Sequence, residues 1–140
     1  MTMLLGAERI KRPLNHMRMF LAENELRPFV ENWPSVAAAL LARARDEAMA
    51  APLDQALQST WHELTRLPGL PTPLLEDGAV PGPLCEVRLS KGDITVGLIG
   101  AVLPLGTPQD VTLQELRVEM FMPADSASEA VLMALAGQDA

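Results

Sequence analysis

Tyrosine is absent, aromatic residues make up only 4% of the chain, and Cys85 is its one cysteine. A lone cysteine makes neither an intramolecular bridge nor a multi-cysteine metal site, and such usage fits a reducing cytoplasm. Long apolar runs are missing too. The longest weakly polar stretch, residues 96–106, falls well short of the ~20 residues a membrane helix needs, and it contains Pro104. Residues 1–7 have no basic segment ahead of their few apolar side chains, so they do not read as an export signal. The chain is therefore expected to be soluble and cytoplasmic, with no membrane partner. Positive charge is scarce: 11 basic against 18 acidic residues leave a net charge of −7, a poor surface for phosphate backbones. Arg9, Lys11, Arg12 and Arg18 gather near the start, and a basic cluster this small reads as a solvated face.

What is present is a core. The chain has 140 residues, 49% of them hydrophobic, which suits a single domain over residues 1–140 and excludes long disorder. Its first half has helical periodicity. Met17, Phe20 and Leu21 predict a helix over residues 14–22, opened by Pro13 in its first turn. Asn32 is placed to cap a second helix running to about residue 50, with Val36, Leu40 and Ala44 on one face and Arg43, Asp46 and Glu47 on the wetter side. Leu53, Leu57, Trp61 and Leu64 form the stripe of a third helix over residues 53–67, which Pro68 and Gly69 stop. From there to residue 84 prolines and glycines predict an irregular connector.

The second half alternates with period two. Cys85, Val87 and Leu89 share one side of a strand, the Ser90–Asp93 segment turns, and residues 94–102 return as its hairpin partner. A third strand over residues 112–122 is expected to turn Leu116, Val118, Met120 and Met122 inward, leaving Glu115, Arg117 and Glu119 outside. Asp125 or Ser126 then caps a last helix ending at Gly137. The expected class is α+β, with helices packed on one face of a small antiparallel sheet.

Chemistry-bearing constellations are few. His16 and His62 sit on separate predicted helices, and no histidine follows His62-Glu63 at zincin spacing. Cys85 lies among apolar neighbours, where it reads as a small hydrophobe. Gly97 and Gly100 fall within a strand, without the helix a phosphate loop requires. No catalytic residue, metal ligand or cofactor is assigned, and the chain is not expected to be an enzyme.

Two stretches carry a resemblance. Residues 105–125, LGTPQDVTLQELRVEMFMPAD, and residues 26–41, LRPFVENWPSVAAALL, are similar to the last-strand motif and the asparagine–tryptophan helix of MmyB-like ligand-binding domains. These domains belong to bacterial helix-turn-helix regulators of the XRE type, and the likeness covers about residues 14–136. The resemblance implies a PAS-like sensor with a hydrophobic cavity for a fatty-acid-like ligand. It also implies that DNA is contacted only through a helix-turn-helix domain. Neither that domain nor the family's strand pair ahead of the first helices is recognised here, so the expectation is an N-terminally truncated domain. Inward-facing periodicity nominates Phe20, Trp33, Val36, Leu40, Leu57, Trp61, Leu98, Leu116, Val118 and Met120 as the ligand-binding wall. The competing expectation is an interaction module that forms a homodimer, or pairs with a full-length relative, through a sheet edge or its helices.

Overall fold

The computed structural model describes residues 16–70, 85–104 and 117–137. Among the described residues, four helices and three antiparallel strands make an α+β fold. The expected connector over residues 71–84, the loop after Pro104 and the first part of the third strand lie outside the described residues.

Helix α1, His16–Leu21, buries Met17, Met19, Phe20 and Leu21. A short 3-10 turn at Arg27–Phe29, with Pro28 in its second position, leads into α2, Trp33–Ala50. Helix α2 buries Val36, Ala37, Leu41, Ala44 and Ala48, and the small side chains in that stripe let its neighbours approach closely. Helix α3, Gln55–Leu64, begins only after Asp54, whose carboxylate accepts from the backbone N–H groups of Ala56 and Leu57. Leu53 therefore precedes the helix and is 94% exposed, so the expected stripe starts four residues late. Its far end holds: Leu64 is fully buried.

Strand β1, Cys85–Lys91, and β2, Ile94–Pro104, form the expected hairpin, and β3, Arg117–Pro123, pairs with the other side of β2. Gly92 opens the two-residue turn with φ +61, a conformation that a side chain would strain. Asp125 caps the last helix, α4, Ser126–Ala136, by accepting from the Ser128 N–H. The Asp125 alternative for that cap is thus the one realised. Helix α4 docks where Gly97 leaves room: a Cβ there would sit 3.1 Å from that of Ala124, and the Ser128 hydroxyl accepts from the Gly97 N–H.

Among the described residues the core has two lobes. One joins Phe20, Leu26, Val30 and Val36 to Val87 and Leu89 of the sheet; the other packs Met17, Leu21, Ala37 and Leu41 against Leu64. Trp33 and Leu40, both half-buried, pack against both lobes.

Asn32 sits at the expected cap position of α2 but makes no capping bond with its side chain. That amide instead lies along the edge of β1, donating to the Glu86 carbonyl at 2.7 Å and accepting from the Arg88 N–H at 3.0 Å. The Glu31 N–H adds a bond to the Arg88 carbonyl, and Val30 bridges Leu89. Two backbone groups of β1 thus outbid the helix end for the amide.

Two stability outcomes follow. Asn32→Ala strands the two β1 groups and should cost about 1–3 kcal/mol in urea unfolding. Leu64→Ala should cost about 2–5 kcal/mol, whereas Leu53→Ala should stay within about 0.5 kcal/mol.

Candidate functional site

Strand alternation and the β1–β2–β3 register define which residues share the helix-covered side of the sheet. Val87 and Leu89 pack against Phe20 and Val36, and Leu98 joins them as the register partner of Val87. Continuing two residues at a time along β2 and across to β3, the same side takes Gly100, Phe121 and Glu119. The contacts agree. The Phe121 ring lies 6.4 Å from that of Phe20, and Glu119 reaches both α1 and α2.

The expected inward and outward sides of β3 are therefore exchanged. Glu119, expected outside, points into the helix layer, while Met120 lies on the opposite side and is 39% exposed. Side chains of α1 and α2 provide the reason: a carboxylate is stable on the inner side because His16 and Arg43 wait there.

Of the ten nominated wall residues, the structure brings five together on this side of the sheet. Phe20 and Val36 are buried, and Trp33, Leu40 and Leu98 pack half-buried against them. Trp61 packs against the second lobe beside Leu64, and Leu57 is half-buried on the same helix. Met120 is on the other side of the sheet. Leu116 lies outside the described residues, and Val118 is described only by its backbone pairing with Leu103.

At one end of the apolar layer stands a polar cluster that sequence reasoning missed. His16 Nδ1 lies 3.0 Å from one oxygen of Glu119, and an Arg43 Nη lies 3.1 Å from the other. Arg43 Nε also donates to Glu47, one turn along α2, at 3.1 Å. Arg43, expected on the wetter side of α2, thus spans to β3. His16, expected on a helix separate from that of His62, is 31% exposed at its side chain and Glu119 25%. Burial pushes the His16 pKa down, Glu119 opposes that shift and Arg43 reinforces it; the net direction is downward. The lowered pKa favours the neutral imidazole, whose Nδ1 faces the Glu119 carboxylate. Among the described residues no set of three histidine, cysteine or acidic side chains is arranged to hold a metal ion.

The missed signal was Phe121. It shares the parity of Arg117 and Glu119, so an aromatic competes with the methionines for the inner side. Alternation gives a strand its period but not its phase.

A second junction supports the site from behind. The Arg27 guanidinium stacks 3.7 Å from the Trp33 ring centroid and donates to the carbonyls of Pro68 and Gly69. Trp33 Nε1 donates to the Phe20 carbonyl at 3.1 Å, fixing the indole against the end of α1.

The folded-state pKa of His16 lies below its unfolded value near 6.5, so the unfolded chain takes up the proton first as pH falls. Stability contributed by neutral His16 is complete above about pH 6.5 and declines below it. The urea midpoint should fall between pH 7.5 and 5.5, and His16→Gln should flatten that slope.

Residues 2–135 match the family model of the MmyB-like transcription regulator ligand binding domain. Searches of curated proteins and of solved structures each return no match. The chain belongs to the MmyB-like transcription regulator ligand binding domain family, which is a regulatory family and not an enzyme family.

Proposed function

We propose that this member of the MmyB-like family is the sensor of a cytoplasmic bacterial regulator of the XRE type, with a PAS-like mode of ligand binding. Its ligand is a fatty-acid-like hydrophobic molecule with a long apolar chain. The family match over residues 2–135 is the observation that carries this reading. The apolar layer supports it: half-buried Trp33, Leu40 and Leu98 surround fully buried Val36 and Phe20 on the helix-covered side of the sheet. Side chains that are only partly covered are the ones a chain-like ligand would finish burying, at about 25 cal/mol per Å² of apolar surface removed from water. Leu57 and Trp61 would extend the wall along α3. DNA contact would belong to a helix-turn-helix domain and not to these residues, in keeping with a net charge of −7.

A ligand that binds only the folded form stabilises it by RT ln(1 + [L]/Kd), about 2.7 kcal/mol at a hundredfold excess over Kd. A fluorescent probe carrying a long alkyl chain should therefore both bind and raise the melting temperature. Leu98→Trp, which fills the layer, should abolish uptake, whereas Met49→Trp, at a position 72% exposed near the end of α2, should not. Wild-type protein that takes up no probe would overturn the reading.

Self-association is a second reading, favoured by Met120, Phe121, Met122 and Met133, which are 39%, 41%, 42% and 69% exposed. Sedimentation velocity over a hundredfold concentration range should then show a dimer that Met122→Glu weakens.

A further inference from the structure

The two edges of the sheet differ. Along β1, the Asn32 amide and the Glu31 N–H engage backbone groups of Glu86 and Arg88. Along β3, among the described residues, nothing pairs with the side turned away from β2. Which groups lie there follows from one bond. The Ala124 N–H donates to the Gly97 carbonyl at 2.9 Å, and these two residues extend the β2–β3 register by one step. Bonding alternates along an antiparallel pair, so Met122 and Met120 also turn their backbone groups to β2. Arg117, Glu119, Phe121 and Pro123 turn theirs outward. Pro123 has no N–H to offer, and an outer edge is where a strand tolerates that.

Free edges are commonly guarded by charge. Here the Glu119 carboxylate is drawn into the helix layer by His16 and Arg43. Met120, Phe121 and Met122 follow, 39%, 41% and 42% exposed although they point to alternate sides of the sheet. The edge is therefore apolar on both sides as well as unpaired.

A second copy of the same strand fits it. Antiparallel self-pairing about a two-fold axis can be centred on Glu119, Met120 or Phe121. Centred on Glu119, it sets two carboxylates directly opposite each other, which is unfavourable. Centred on Phe121, it pairs Glu119 with Pro123, and Arg117 falls beyond the ladder. Centred on Met120, every outward-facing residue is used. Glu119 then faces Phe121 of the second copy, Arg117 faces Pro123 at the ladder's end, and Met120 faces its own equivalent. No like charges stand opposite one another in that register.

We propose that β3 is a dimer interface, pairing antiparallel with β3 of a second copy about Met120 so that the two sheets become one. The inference rests on the self-association reading above and names its interface and register.

In this register residue 120 faces its equivalent across a non-hydrogen-bonded pair. The Cα atoms of such a pair lie about 4.5 Å apart, within the reach of a disulfide. Sedimentation velocity first establishes the dimer. With Cys85→Ser removing the native thiol, diamide should cross-link Met120→Cys at least about tenfold faster than Met122→Cys or Met133→Cys. Met122 faces Val118 of the second copy, and Met133, 69% exposed, reports random collision. Wild-type protein supplies a readout that needs no variant to fold. Its Glu119 and Phe121 amides should exchange more slowly as concentration rises through the range where the dimer forms. A dimer in which those amides exchange as in the monomer overturns the inference and leaves self-association standing. Cross-linking of Met120→Cys no faster than that of Met133→Cys does the same. Protein that stays monomeric at every concentration removes both.

Discussion

Everything on the helix-covered side of the sheet depends on how Asn32 and Trp33 join three elements that are distant in sequence. A strand edge carries unpaired backbone groups, and leaving them dry and unbonded is costly. Asn32 satisfies two such groups on β1 with one side-chain amide, and its neighbour Glu31 adds a backbone bond. The next residue turns an indole toward α1, donates to the Phe20 carbonyl, and receives Arg27 on its ring. Arg27 in turn holds the carbonyls of Pro68 and Gly69, where the chain leaves α3. Gly69 has φ +66 there, and a Cβ would come within 2.9 Å of the guanidinium, so glycine is required on two counts. Four consecutive requirements thus set the positions of α1 and α2 over the sheet.

That placement is what makes a half-buried carboxylate on β3 tolerable. An ionised side chain withdrawn from water needs partners on both oxygens. Here one comes from the first turn of α1 and the other from the middle of α2. Neither helix supplies both, so the Glu119 contacts also tie the two helices to the last strand.

The helices were legible in the sequence because their periodicity is strong, and their starts were less so. Asp54 and Leu53 illustrate the limit. A hydrophobic stripe extended backwards through Leu53 ignores the carboxylate that caps the helix one residue later, and the cap decides where the helix begins. Asn32 shows the converse. Its type and place fit an N-cap, yet tertiary contact with β1 claims the side chain, and no local rule contains that partner. The hairpin read correctly because Gly92 and its neighbours specify the turn locally. Trp33, Val36 and Leu40 could be nominated from periodicity alone, since their burial follows from the face of one helix.

Glu119 could not be found that way, and the cause lies in the sheet having cover on both sides. Helices α1 and α2 pack on the side of Val87 and Leu98, whereas α4 approaches the other at Gly97 through Ser128. A sheet with one wet side writes its phase into the sequence as apolar-in, polar-out. Once both sides are partly covered, Met120 and Met122 satisfy one and Phe121 the other, so hydropathy no longer chooses between them. The deciding quantity is then the location of His16 and Arg43, which lie 103 and 76 residues before Glu119 in the chain. A charged residue on the helix-covered side of such a strand is therefore a sharper pointer to a site than any apolar position around it. Apolar side chains would pack there in any sequence that folds, whereas a carboxylate persists only where its partners have been placed to receive it.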